Sequence, residues 1–170
     1  MLKCQWVGYM RTYRRELLMF TVRYACEDDK AFWFTLDKHL TESEFTLKVR
    51  DRRCYIISDN ENPIGIIRYN LFRDIIPFLT FIYIDEAYRK NGFGRQSMVY
   101  WETEMHELGY EMTMTSTQVD EEAQHFYRKL GYVDKGGIFL DNTPYEQPQE
   151  LFLIKIIADD SSSDVPKYRG

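Results

Sequence analysis

Ile82-Tyr83-Ile84-Asp85-Glu86-Ala87-Tyr88-Arg89-Lys90-Asn91-Gly92-Phe93-Gly94-Arg95-Gln96-Ser97 is the stretch whose reading decides the fold. Upstream, Phe78 to Ile84 is apolar and rich in β-branched and aromatic residues, as in a buried strand. Downstream, Met98, Trp101, Met105 and Leu108 recur at helical spacing. A basic turn therefore joins a strand to a helix. Gly92 and Gly94 lack a Cβ, so a ligand can approach the main chain, and the first turn of a helix leaves its amides unpaired. With Arg89, Lys90 and Arg95 beside them, these amides suit a phosphate group, and a pyrophosphate matches the charge. The competing reading is a plain strand-to-helix connection whose glycines serve geometry alone. A Rossmann turn would need a third glycine where Ser97 stands and a strand nearer Gly92, and the Gly-Lys-Ser/Thr of a P-loop is absent.

A second segment follows the helix: Ala123-Gln124-His125-Phe126-Tyr127-Arg128-Lys129-Leu130-Gly131-Tyr132. Arg89-Lys90-Asn91-Gly92-Phe93-Gly94 resembles the Arg/Gln-x-x-Gly-x-Gly/Ala signature of the GNAT superfamily of acetyl-CoA-dependent N-acetyltransferases. The second segment resembles that family's Ala-x-x-x-Tyr-x-x-Leu-Gly-Phe element. Together they span residues 78 to 132, and order and spacing agree more loosely from 19 to 157. The resemblance implies an α/β fold with a mixed, mostly antiparallel central sheet of about six to seven strands flanked by about four helices.

It further implies acetyl-CoA as acyl donor and an amine as acceptor. Main-chain groups of Ile82 and Ile84 would pair with the pantetheine arm, and a strand amide at Tyr83 or Ile84 would face the oxyanion. The amides of Lys90, Asn91, Gly92, Phe93, Gly94 and Arg95 would hold the pyrophosphate, with Arg89 beside them. Tyr127 would protonate the departing sulfur, a role its register in the second segment implies, whereas position alone favours one more core aromatic. Asp120 stands where the family often supports the cofactor with Asn, and as a plain residue it reads as a helix cap. The strand glutamate that serves as base in histone-acetyltransferase-like members maps onto Phe78. Another acid in a loop, Glu27, Asp74, Glu146 or Glu150, or a chain of water molecules must then take the proton.

Composition narrows the function. A chain of 170 residues supports one domain with a proper core, and 44% apolar with 16% aromatic residues excludes a disordered class. The 27 acidic and 22 basic residues give a net charge of -5, which disfavours nucleic acid and welcomes a cationic acceptor. Cys4, Cys26 and Cys54 contain no C-x-x-C pair, and His39, His106 and His125 do not stand with them at metal-ligand spacing. This predicts no metal site and points to a reducing cytoplasm. No apolar run reaches the roughly 18 residues of a membrane span. Residues 1–18 lack clear periodicity and read as an N-terminal extension, 19–158 as the acetyltransferase-like domain, and 159–170 as a disordered tail. A homodimer is left open.

In order, the periodicity predicts a strand over Met19 to Ala25 and a helix over Lys30 to Leu40, preceded by acidic Glu27, Asp28 and Asp29. A second helix opens with the capping box Thr41-Glu42-Ser43-Glu44 and runs to Arg50. In the family these two helices border the acceptor pocket. Strands over Arg53 to Ser58 and Ile64 to Leu71 flank the turn Asp59 to Pro63, and Arg73-Asp74 leads into the strand from Phe78. Gly109 ends the central helix, Met112 to Thr117 is a strand, Asp120 caps the helix carrying Tyr127, and Gly131 closes it. Strands over Tyr132 to Leu140 and Leu151 to Ile157 end the domain. The leading expectation is direct acetyl transfer to a primary amine; the alternative is a coenzyme-A-binding sensor or interaction domain without catalysis.

Overall fold

The computed structural model describes residues 20–158, and the expectations for the extension, the tail and Met19 lie outside the described residues. Among the described residues seven strands and four α-helices follow in the order β1 (Phe20–Tyr24), α1 (Lys30–Leu36), α2 (Glu42–Arg50), β2 (Cys54–Asp59), β3 (Asn62–Phe72), β4 (Ile76–Ile84), α3 (Phe93–Glu107), β5 (Met112–Gln118), α4 (Ala123–Lys129), β6 (Val133–Ile138) and β7 (Glu150–Ile156). The architecture is α/β with a seven-stranded, mostly antiparallel sheet. The described residues fall into two compact units, 20–70 with 79–100 and 71–78 with 101–158.

In the first unit the strands run β1-β2-β3-β4. Cys54, Tyr55, Ile56, Ile57 and Ser58 of β2 are all buried, because elements cover both of its faces. On one face Cys54 and Ile56 join Trp33 of α1, Phe45 of α2 and Ile66 of β3 in one apolar cluster. On the other, Tyr55 meets the rings of Tyr24, Tyr69 and Tyr100. Phe81 and Tyr83 of β4 pack against the α1–α2 cluster.

Several boundaries depart from expectation for local reasons. Asn60 and Glu61 both have positive φ, 48° and 67°, making a two-residue hairpin turn with no glycine to announce it. Asn62 and Pro63 therefore belong to β3. Arg73 and Asp74, at φ 53° and 66°, turn the chain in the same way, so β4 begins at Ile76 and not at Phe78. Helix α1 stops at Leu36 and not at Leu40: Asp37 leaves helical geometry, and its buried carboxylate accepts from the amides of His39 and Leu40. The acidic run Glu27-Asp28-Asp29 forms a short 3-10 turn, and Asp29 is paired with Arg23 at 2.6 Å. Helix α2 opens as expected, with Thr41 accepting from the Glu44 amide.

In the second unit the strand order is β5-β7-β6, antiparallel in both pairs. Trp101, Met105, Met114, Tyr127, Tyr132 and Leu153 are buried. Gly109 and Gly131 end α3 and α4 at φ 89° and 92°, and the amides of Tyr110 and Tyr132 close back onto Met105 O and Tyr127 O. Strand β6 is shorter than Tyr132 to Leu140, running from Val133 to Ile138, and its register with β7 shifts between Asp134 and Gly137. The cap expected at Asp120 does not form. Val119 and Asp120 are spent on a turn, Glu122 occupies the N-cap without a side-chain bond, and Glu121 instead accepts from Thr117 Oγ1 and the Gln118 amide.

Candidate functional site

The end of β4 decides which main-chain groups are available to a ligand. Asp85 N–H donates to Ile64 O on β3 at 2.8 Å. Tyr83 O lies 2.5 Å from where a Cβ on Gly65 would stand. Tyr83 and Asp85 thus turn their peptide groups toward β3, and because successive residues of a strand face opposite edges, Ile82 and Ile84 turn theirs away. On that edge the Ile84 carbonyl accepts from Arg89 Nε at 3.0 Å. The Tyr83 carbonyl lies on the β3 side, and the Tyr83 ring stacks on Phe81, centroids 6.1 Å apart and planes within 5°.

Beyond β4 the turn is tied down residue by residue. Asp85 accepts from the Ala87 amide, Asn62 Nδ2 donates to Tyr88 Oη at 2.8 Å, and Asn91 Nδ2 donates to Tyr88 O at 3.3 Å. Lys90 at φ 64° and Gly92 at φ 83° bend the chain through left-handed geometry, which Gly92 adopts freely and Lys90 only under strain. The helical ladder of α3 begins with Gln96 N–H to Gly92 O, so the amides of Phe93, Gly94 and Arg95 precede its first rung. They stand at the positive end of a 15-residue helix. The Phe93 ring is buried against Phe20, centroids 5.9 Å apart, and Ser97 Oγ donates to Phe93 O, which together hold the helix start.

The three cations of the turn are not equivalent. Lys90 and Arg95 are exposed, and among the described residues neither pairs with a carboxylate. Arg89 folds back. Its Nε donates to Ile84 O at 3.0 Å, a terminal nitrogen stands 3.5 Å from Glu86, and its guanidinium lies 4.8 Å from the Tyr83 ring centroid. Arg89 therefore clamps the turn to the end of β4, and the free positive charge comes from Lys90 and Arg95.

The remaining candidates lie in the second unit, apart from Glu27. Tyr127 is buried, its hydroxyl hydrogen-bonded to the Thr115 side chain and its ring set against Phe126 and Tyr132 at 5.4 and 5.7 Å. Burial pushes its hydroxyl up to about 12, against the smaller opposite effect of the Thr115 bond. Asp120 is exposed in the turn after β5. Phe78 sits with Phe72 and Phe152, each ring centroid 6.2 Å away. Of the acids proposed as base, Glu27, Asp74 and Glu146 are exposed, and Glu150 is half-buried, accepting from Gln147 Nε2 at 2.9 Å. Among the described residues no three His, Cys, Asp or Glu side chains gather as a metal site, and no helix is long and apolar enough to cross a membrane.

Four residues that the sequence reading did not single out shape these sites. Gly65 lets β4 approach β3, and a glycine inside the apolar run Ile64-Gly65-Ile66-Ile67 was the signal for it. Asp37 and Arg68 form a buried ion pair, and an arginine within that same strand was its signal. Thr115 holds the Tyr127 hydroxyl, and nothing in the alternating Met112-Thr113-Met114-Thr115 pattern distinguishes it from its neighbours.

A model of the acetyltransferase (GNAT) family matches residues 12–132. Among curated proteins none matches the chain. Solved structures of similar fold include the ribosomal-protein-S18-alanine N-acetyltransferase from Escherichia coli, with a TM-score of 0.71 and 16% identity over 85% of this chain and 98% of that one. The spermidine/spermine N-acetyltransferase SpeG from Vibrio cholerae matches with a TM-score of 0.68 and 16% identity over 81% and 92%. Arabidopsis thaliana Naa50, in complex with the bisubstrate analogue CoA-Ac-MVNAL, matches with a TM-score of 0.66 and 13% identity over 80% and 97%. At these identities the likeness is one of fold.

Proposed function

Since the chain belongs to the acetyltransferase (GNAT) family, we propose that it transfers an acetyl group directly from acetyl-CoA to a primary amine. The observation that carries this reading is the turn after β4, where three helix amides free of the ladder stand with exposed Lys90 and Arg95. Acetyl-CoA supplies the activated thioester. The amides of Phe93, Gly94 and Arg95 with the two cations hold its pyrophosphate, and the main chain of Ile82 with the Ile84 amide orients the pantetheine arm. Ile84 O is already engaged by Arg89, so the amide is the group that this residue offers.

Tyr127 acts on the departing sulfur, a role supported by its register in the Ala123-to-Tyr132 element and by its buried hydroxyl. A phenol that burial holds well above its ordinary value passes its proton to a thiolate of ordinary pKa, about 8.5, only uphill. Tyr127 therefore serves as a hydrogen-bond donor, and solvent completes the protonation. Water removes the proton of the amine, Phe78 having no group to do so. The α1–α2 segment borders the acceptor, and the net charge of -5 favours a cationic one. A second reading, a catalytically silent coenzyme-A-binding protein, is favoured by Phe78 standing between the rings of Phe72 and Phe152 where a base would be needed.

The test combines calorimetry with thiol release on a panel holding spermidine, a peptide beginning Met-Val-Asn-Ala-Leu and one beginning with alanine. The parent is expected to bind acetyl-CoA and to release thiol with at least one amine. Gly94→Glu, which puts a carboxylate among the amides, is expected to stay folded and lose binding. A folded variant that binds as the parent does overturns the cradle. Binding without thiol release on any amine favours the silent reading.

A further inference from the structure

We propose that the buried Asp37–Arg68 ion pair is a staple that positions the acceptor-bordering segment between α1 and α2, an inference that rests on the acetyltransferase reading above. Asp37 is fully buried immediately after α1, and both of its oxygens are used. One accepts from the amides of His39 at 3.1 Å and Leu40 at 3.3 Å. The other accepts from Arg68 Nε on β3 at 2.7 Å. Arg68 in turn donates to Thr80 Oγ1 on β4 at 2.9 Å, and its guanidinium lies 5.0 Å from the Phe81 ring centroid. A single connected network thus runs from the loop between the helices to β3 and to β4.

Stability alone does not account for such a pair. Ions withdrawn from water lose solvation that their mutual attraction only just restores, and well-packed neutral side chains of similar size often do as well or better. What a neutral pair does not reproduce is direction. The planar guanidinium engages carboxylate and hydroxyl at once, and so sets the loop relative to β4 at a defined spacing. Lys48, also buried and nearby on α2, does not duplicate this, since its ammonium is occupied by Tyr69 O and Asn70 Oδ1. Lys38, His39 and Thr41 are exposed beside the anchored carboxylate, so the loop presents side chains outward from a pinned base. Asp37 and Arg68 are positioning residues, acting through the loop on the acceptor and not on acetyl-CoA.

The test uses the full chain, Arg68→Met, Asp37→Asn and the double variant, with spermidine and the Met-Val-Asn-Ala-Leu peptide as acceptors. Arg68→Met alone strands a buried carboxylate and lowers Tm. In the double variant most of that Tm returns, since no unpaired charge remains, while KM for the acceptor stays raised about 10-fold or more and KM for acetyl-CoA stays within about twofold. Hydrogen exchange of amides 38–41 rises about 10-fold in the same variant. A double variant with parental acceptor KM overturns the proposal, as does an equal rise in both KM values. If the parent binds acetyl-CoA but acetylates neither amine, the enzyme reading fails separately. Exchange then decides the staple: faster amides 38–41 in the double variant uphold it, and unchanged ones remove it.

Discussion

Replacing Gly65 by alanine tests how closely β3 supports the end of β4 proposed to bind the pantetheine arm. The added Cβ would meet Tyr83 O at 2.5 Å, Ile84 Cδ1 at 2.8 Å and Ile57 Cδ1 at 3.2 Å. Isoleucine methyls can rotate away, but a carbonyl oxygen in a strand moves only with its strand. Ordinary contact begins at 3.4 Å, so β4 must retreat by roughly 0.9 Å at Tyr83. Overpacking of this kind costs about 1–3 kcal/mol, which for a domain of this size lowers Tm by roughly 2–12 °C. The same retreat would carry Ile84 and weaken the main-chain hydrogen bond proposed between it and the pantetheine arm, worth about 1 kcal/mol, so acetyl-CoA should bind roughly fivefold less tightly. Gly137→Ala is the control. Its Cβ would meet Glu150 O at 2.6 Å, in the second unit, which contains none of the cradle residues. Thermal melts and calorimetric titration of both variants give the answer: Gly65→Ala loses Tm and affinity, Gly137→Ala loses Tm alone. Parental Tm in Gly65→Ala would refute the close approach, and lost Tm with parental affinity would refute the part assigned to Ile84.

Tyr127→Phe should keep stability near neutral pH and acetyl-CoA affinity while turnover falls about 10-fold to 10³-fold, as read by rapid-mixing thiol release; unchanged chemistry would return Tyr127 to the core. The same variant has an alkaline signature. Folded Tyr127, near 12, keeps a proton that an unfolded tyrosine, near 10, gives up. Its stabilisation, up to about 3 kcal/mol, is complete below pH 10 and lost as pH rises to 12, so denaturant melts of Tyr127→Phe should show a shallower decline over that window. For an alkylamine acceptor of pKa about 10.4, kcat/KM of the parent should climb about tenfold per pH unit from 6 toward 9, because only the neutral amine attacks. Conversion of Glu27, Asp74, Glu146 or Glu150 to its amide should leave that profile intact, and a variant losing about 10²-fold with a shifted break would identify a protein base and sink the water route.

What the sequence made legible is what depends on local residue chemistry. The alternation of β1, the stripe of α3, the capping threonine of α2 and the glycine ends of α3 and α4 are properties of a few adjacent residues, and each stands where the pattern placed it. The start of α3 after β4 belongs to this class, because a helix start following a strand is fixed within about ten residues of chain. The departures come from partners far along the chain. Asp37 ends α1 early because Arg68, 31 positions later, takes its carboxylate, and no periodicity in Lys30 to Leu40 encodes that. Arg89 reads as a third phosphate cation until the carbonyl of Ile84 and the ring of Tyr83 claim it.

Tyr83 shows the same limit in the other direction. A strand of alternating residues has two equivalent edges in sequence, and only Ile64 and Gly65 on β3 decide that Tyr83 faces β3 while Ile82 and Ile84 face the opposite edge. The assignment of main-chain roles along β4 is thus a one-residue register question, and a slip of one would exchange the two sets. Gly65 is where that register is felt most directly: it is the residue whose lack of a side chain lets the Tyr83 carbonyl sit close to β3.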